Sequence, residues 1–122
     1  VGHNEPTLES GYAAMDKVLA SGVTAVITYN DLMAIGLLKA ARERDLAVPG
    51  VLSVIGFDNI FGSDFTNPPL SSIQLPLEST GADAVQAILA LLESEDRDAS
   101  VIQPSAIKTS LLIRGSTGPI LK

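Results

Sequence analysis

Two short pairs of residues are suited to recognising a polar molecule: Asn30-Asp31 and Asp58-Asn59. Each pair joins a carboxylate, which only accepts hydrogen bonds when ionised, to a carboxamide, which both donates and accepts. Such a combination can satisfy the mixed donors and acceptors of a polyhydroxy or heterocyclic ligand. Each pair follows an apolar, β-branched run, VTAVITY over 23–29 and VLSVIGF over 51–57. In open α/β sheets ligands bind in the crevice at the carboxyl ends of the strands, which is where both pairs would fall. A plainer reading stands beside this one. Asn before a helix is a good N-cap, and Asp-Asn after a strand is a common turn. Two such pairs at neighbouring strand ends add weight to a binding site without removing that alternative.

Catalytic and metal chemistry find little support. Asp31 and Asp58 together could hold magnesium, as in phosphoryl-transfer domains of similar topology. The chain has no phosphate-cradling Gly-rich loop with a Lys, however, and no Asp-x-Asp after a first strand. No Ser or Cys nucleophile has a matching histidine: His3 is the only one, it lies at the start of the chain, and it reads as a solvent-exposed side chain. The expectation is a binding protein with no catalytic residue, no metal and no cofactor. The net charge of -6, with 14 acidic residues against 8 scattered basic ones, argues against a DNA-binding surface on this chain. Cysteine is absent, which rules out disulfides and thiolate metal sites and suits a cytoplasmic protein. No apolar run reaches the roughly 20 residues that span a bilayer. The chain opens Val1-Gly2-His3-Asn4 without an initiator Met, so a longer parent protein is expected.

The elements that must position these residues follow from periodicity. At 122 residues and 46% hydrophobic content the chain can form a real core. Apolar runs alternate with helical patterns, the signature of βαβ units and a parallel sheet. The spacing predicts a helix over 9–21, with Tyr12, Met15, Val18 and Leu19 in phase and Ser21-Gly22 as its stop. A strand over 23–29, buried on both faces, leads into a helix over 31–44 that is capped by Asn30 and turns Met33, Leu37, Leu38 and Ala41 inward. A second buried strand over 51–57 is followed by an ordered loop over 60–69, where Pro68-Pro69 forbids helix. Phe57 reads as core, and Phe61 and Phe65 as ligand walls or interface anchors. A strand over 71–75 and a long helix over 78–93, with Ala82, Val85, Ile88, Leu89 and Leu92 on one face, come next. Strands are expected at Val101-Ile102 and over 110–113.

Several segments, in order, resemble LacI/GalR-type bacterial transcriptional regulators. They are Thr24-Ala25-Val26-Ile27, Asn30-Asp31-Leu32-Met33-Ala34-Ile35-Gly36, Val48-Pro49 and Ser53-Val54-Ile55-Gly56-Phe57-Asp58-Asn59. Pro69-Leu70-Ser71-Ser72-Ile73, Gly81 with Ala84-Val85, and Leu112 with Arg114-Gly115-Ser116-Thr117 complete the series, so the likeness covers 9–117. The resemblance implies a two-lobed, periplasmic-binding-protein-like core behind an N-terminal helix-turn-helix. This chain would supply the C-terminal lobe, residues 1–76 plus 108–122, with 77–107 returning to the N-terminal lobe. It implies an effector site at Asn30, Asp58, Asp31 and Leu77 for a sugar or similar polar metabolite. It also implies a homodimer contact at Met33, Leu37, Ala41, Phe61 and Phe65. Operator DNA would be reached only through the helix-turn-helix, outside this chain. Relatives often carry an aromatic ring where this chain has Pro6-Thr7, which puts effector stacking at that position in doubt. Without the N-terminal lobe the apolar face of the long helix would be exposed, which favours self-association. The rival reading is a solute-binding protein feeding a transporter, which shares the two-lobed fold.

Overall fold

The computed structural model describes residues 5–93 and 106–119. In chain order the elements are α1 (Leu8–Ala13), α2 (Met15–Ala20), β1 (Ala25–Ile27), α3 (Asp31–Glu43), β2 (Ser53–Asp58), β3 (Ser71–Gln74), α4 (Leu77–Glu93) and β4 (Ser110–Leu112). They fall into two compact units, Val1–Gln74 with Ser110–Lys122, and Leu75–Thr109. The sheet of the first unit has the order β1-β2-β3-β4. Three strands are parallel, and β4 runs antiparallel to β3. The expected α/β class is found, as a mixed and mostly parallel sheet flanked by helices. The predicted strand at Val101-Ile102 and His3 lie outside the described residues.

The predicted helix over 9–21 is two helices joined at Ala14. Ala14 keeps helical dihedrals, φ −71 and ψ −16, and its N–H is shared between the carbonyls of Ser10 and Gly11, so the break is a local tightening. Thr7 caps α1 by accepting a hydrogen bond from the Ser10 N–H. Met15 and Val18 are buried, and they join Ala34, Leu37, Leu38, Ala41, Leu52, Val54 and Leu70 in one core. α1 and α2 lie against α3, and α3 lies against β2.

Small residues set how closely these layers approach. A Cβ at Gly11 would fall 2.1 Å from the Met33 carbonyl oxygen, and one at Gly36 would fall 2.1 Å from that of Leu8. α1 and α3 therefore cross backbone to backbone, and neither glycine can gain a methyl without parting the helices. Along the edge of this seam the Tyr12 hydroxyl donates to Glu43 Oε2, which holds the phenol above its usual pKa, with Lys39 and Arg44 over the ring.

β1 departs from expectation. Its β-branched run reads as a strand covered on both faces, yet Val23, Ile27 and Tyr29 are exposed. The reason is its place at the edge of the sheet, with the first unit's helices stacked on one face only. On β2 the alternation is clear: Val54 and Gly56 are buried toward the helices, while Ile55 and Phe57 are half-buried on the other face. In the second unit α4 runs for 17 residues with none buried, and Val85, Ile88, Leu89 and Leu92 are exposed along it.

The first unit is locked by a buried carboxylate. Asp31, the first residue of α3, is fully buried. Its Oδ2 accepts from the Ile60 N–H (2.8 Å) and the Ser63 hydroxyl (3.0 Å), and its Oδ1 from the Ser72 hydroxyl (2.6 Å). One side chain thus joins the helix, the loop after β2, and β3. The positive end of the helix dipole adds to the stabilisation of its charge. Gly56 makes the space, since a Cβ there would sit 2.0 Å from Asp31 Oδ1. The loop over 60–69 is ordered as expected, with the Leu70 N–H also donating to the Ser63 carbonyl (2.9 Å).

Asp31→Ala is expected to lower the stability of the intact protein by about 2 to 4 kcal/mol, because it strands buried donors. Asp31→Asn should recover little, since its NH2 group would face another donor. Gly36→Ala should destabilise by at least about 2 kcal/mol through backbone overpacking. Denaturant unfolding of the three variants checks both, and a loss under 0.5 kcal/mol in either Ala variant, roughly the scatter of neutral surface changes, contradicts the corresponding claim.

Candidate functional site

The carboxyl ends of β1 and β2 lie side by side, because the strands are parallel and in register from Ala25↔Ser53 to Ile27↔Ile55. Beyond that register the chain continues through Thr28-Tyr29-Asn30 on one side and Phe57-Asp58 on the other. Thr28, Tyr29, Phe57 and Asp58 line an open cavity of about 440 Å³. The buried Thr28 hydroxyl donates to the Asn30 carbonyl (2.8 Å), which fixes the turn into α3.

Asn30 follows Tyr29 in the chain and is the N-cap of α3. Its Oδ1 accepts from the Met33 N–H (3.0 Å), as an N-cap should, and its Nδ2 donates to the Pro6 carbonyl (2.9 Å). One amide proton and one lone pair remain for another partner. The cap and the binding readings of Asn30 are therefore compatible.

Asp58 closes β2 with φ 100, and Asn59 follows with φ 51. Both values lie in the left-handed region that non-glycine residues seldom occupy. The turn is held from behind. The Asn59 N–H donates to Ser72 Oγ (3.1 Å), and Asn59 Oδ1 accepts from Arg114 Nη2 (2.7 Å). The Ile60 N–H goes to Asp31. Among the described residues the Asp58 carboxylate has no hydrogen-bond partner of its own, and it lines the cavity.

The two acidic residues of the sequence pairs therefore have opposite situations. Asp31, predicted beside Asp58 in the effector site, is corrected: its oxygens are committed to three internal donors and it has no exposed surface. That same arrangement turns it toward N–H and O–H groups, not toward a shared cation with Asp58. Leu77 opens α4 in the second unit and is 65% exposed. Of the partner-contact residues, Leu37 and Ala41 are 2% and 1% exposed in this chain's own core, so their side chains are not available to a partner in this arrangement. Helical phase put them inward correctly, and the partner assignment conflicts with that. Met33 is half-buried. Phe61 and Phe65 are 93% and 72% exposed, and their rings meet edge to face at 5.4 Å.

Three cavity residues were not singled out from the sequence: Thr28, Tyr29 and Phe57. Phe57, expected in the core, is half-buried on the cavity because β2's alternation sends it to the face away from α3. Position was the available signal, since Tyr29 and Phe57 immediately precede Asn30 and Asp58.

Comparison with known proteins gives one consistent picture. Residues 1–117 match the family described as periplasmic binding protein-like domain. An uncharacterized HTH-type transcriptional regulator of Streptomyces limosus is 40% identical over 113 residues, 91% of this chain and 31% of the relative. The HTH-type transcriptional repressor PurR of Pasteurella multocida is 38% identical over 110 residues, 88% of this chain and 32% of the relative. The crystal structure of a LacI family transcriptional regulator from Enterococcus faecalis with bound ribose superposes with a TM-score of 0.86 at 25% identity, over 98% of this chain and 43% of that one. The chain thus spans about a third of the length of the curated relatives it matches. On this evidence the chain belongs to the periplasmic binding protein-like domain family, in the form carried by LacI/GalR-type regulators.

Proposed function

We propose that this chain is the effector-sensing and dimerisation part of a LacI-type, cytoplasmic DNA-binding transcriptional regulator that responds to a sugar-like polyhydroxy metabolite. The observation that carries the reading is the free Asp58 carboxylate at the mouth of a cavity walled by Tyr29 and Phe57. A carboxylate accepts hydrogen bonds from adjacent hydroxyls, and aromatic walls pack against the C–H faces of a sugar ring while excluding water. Asn30 supplies the remaining donor and acceptor. In this reading 1–76 with 108–122 form one lobe, and 77–107 associates with the other.

Regulation then needs only that the ligand bind one arrangement of the lobes more tightly than another, which shifts the population that binds DNA. The regulator names of the relatives favour this reading over a transporter's solute-binding protein. They likewise favour a sensor over an enzyme. The ribose held by the Enterococcus regulator makes D-ribose the first probe.

In a thermal-shift titration of the intact protein, D-ribose is expected to raise the melting temperature of the wild type. Asp58→Ala should weaken binding by roughly tenfold to a hundredfold, the loss of one charge-assisted hydrogen bond of about 1.5 to 3 kcal/mol. Equal binding by Asp58→Ala rejects the assignment of Asp58.

For the partner surface, the exposed Phe61–Phe65 pair, with Met33, is the assigned contact. Aromatic residues in such positions act as anchors worth about 2 kcal/mol or more each. Sedimentation velocity is expected to show a dimer that weakens at least tenfold in Phe61→Ser/Phe65→Ser. An unchanged dimer places the contact elsewhere.

A further inference from the structure

We infer that Arg114 is a positioning residue for ligand recognition, holding Asp58 at the cavity through Asn59 without itself lining the cavity. The inference rests on the effector reading of Asp58 and adds a determinant from the far end of the chain.

The geometry is a chain of aligned hydrogen bonds. Arg114 Nη2 donates to Asn59 Oδ1 at 2.7 Å, the Asn59 N–H donates to Ser72 Oγ at 3.1 Å, and the Ser72 hydroxyl donates to Asp31 Oδ1 at 2.6 Å. A fixed cation stands at one end and a fully buried anion at the other. The last two links share the Ser72 hydroxyl and so strengthen each other, while Arg114 grips the same Asn59 separately, through its side-chain carbonyl. Arg114 is itself anchored: its Nη1 donates to the Leu70 carbonyl at 2.6 Å and its backbone N–H to Ser71 Oγ at 2.8 Å. The guanidinium fork thus bridges the start of β3 and the turn after β2, a geometry that a single ammonium cannot span.

The target of this support is strained. Asp58 and Asn59 have φ of 100 and 51, and such dihedrals persist only when surrounding contacts over-determine them. Asp58 has no hydrogen bond of its own among the described residues, so the direction of its carboxylate depends on what grips Asn59. Arg114 also has no carboxylate within ion-pair distance among the described residues. Its charge is directed to the turn and not spent on a neighbouring acid.

The test compares wild type, Arg114→Lys and Arg114→Met in the intact protein, by amide hydrogen exchange and D-ribose titration. Exchange of the Asn59 and Ile60 amides is expected to rise about tenfold in Arg114→Met, the equivalent of one charge-assisted hydrogen bond, while amides within α3 stay unchanged. D-ribose affinity, measured where all three proteins are fully folded, should fall by a similar factor, and Arg114→Lys should restore only part of both. Unchanged exchange at 59–60 overturns the inference. So does a uniform rise across the first unit, which would mark Arg114 as merely structural, or an unchanged ribose affinity beside a loosened turn. If the wild type does not bind D-ribose, a local rise at 59–60 still supports the positioning of Asp58, and the failure falls on the effector reading.

Discussion

A buried carboxylate is costly to place in a protein interior, and the first unit is organised around meeting the needs of one that has no counter-ion among the described residues. Asp31 starts α3, where the helix dipole favours negative charge, and draws donors from Ile60, Ser63 and Ser72. Those donors belong to a loop and a strand with no other covalent reason to lie beside the helix. The arrangement also requires Gly56, because any side chain there would occupy the carboxylate's place. The loop over 60–69, rich in Gly, Pro and Ser, holds one conformation because its backbone is tied to this acid at one end and to β3 at the other.

From that anchor the site follows by geometry. The Ile60 N–H is held by Asp31, and Asn59 is held by Ser72 and Arg114, so the chain must leave β2 through two left-handed residues. That path gives Asp58 its position on the cavity, its carboxylate unbonded among the described residues. The tail makes a matching contribution at the other end of the strands. The Ser116 hydroxyl donates to the Val54 carbonyl (2.6 Å) and accepts from the Ser71 N–H (2.8 Å), while its carbonyl accepts from the Val54 N–H (2.8 Å). β2 and β3 are thereby bridged where their own ladder has not yet begun. A stiff sheet that ends in a strained turn is how a fold presents a carboxylate to a ligand without letting it collapse onto the protein.

Much of this was legible in the sequence, and the exceptions share a cause. The Asn30 cap, the span of α3, the buried phase of Met15 and Val18, and the long α4 all come from local periodicity and local chemistry. Lateral order in the sheet does not. A β-branched run looks alike in an edge strand and a central one, so β1 reads as buried, and nothing in Ser110–Leu112 encodes that it pairs antiparallel with β3. Asp31 and Asp58 are indistinguishable by type and by strand-end position. They differ only because Ser63, Ser72 and Gly56, from three separate segments, converge on one of them. Leu37 and Ala41 show the same limit, for helical phase marks a covered face without saying whether the cover is the same chain or a partner.

The resemblance to LacI/GalR regulators has a physical interpretation in these terms. Asn30, Asp31, Gly36, Gly56, Ser72, Arg114 and Ser116 all lie in the segments that carry it, and each has a defined task in capping, close approach or hydrogen bonding. Such residues preserve a scaffold and a carboxylate; they do not select a ligand. A carboxylate accepts from the hydroxyls of many polyhydroxy molecules with similar strength, so in the proposed site Asp58 would contribute affinity more than choice. Discrimination comes from groups that a wrong ligand would leave unpaired or would clash with. In the first unit those groups are Thr28, Tyr29 and Phe57 on the cavity wall, together with the spare amide proton of Asn30. In the proposed site, specificity would therefore be set by side chains just before the strand-end pairs, on strands whose backbone the Asp31 network already fixes. The fold can change its ligand there without disturbing the carboxylate that anchors it.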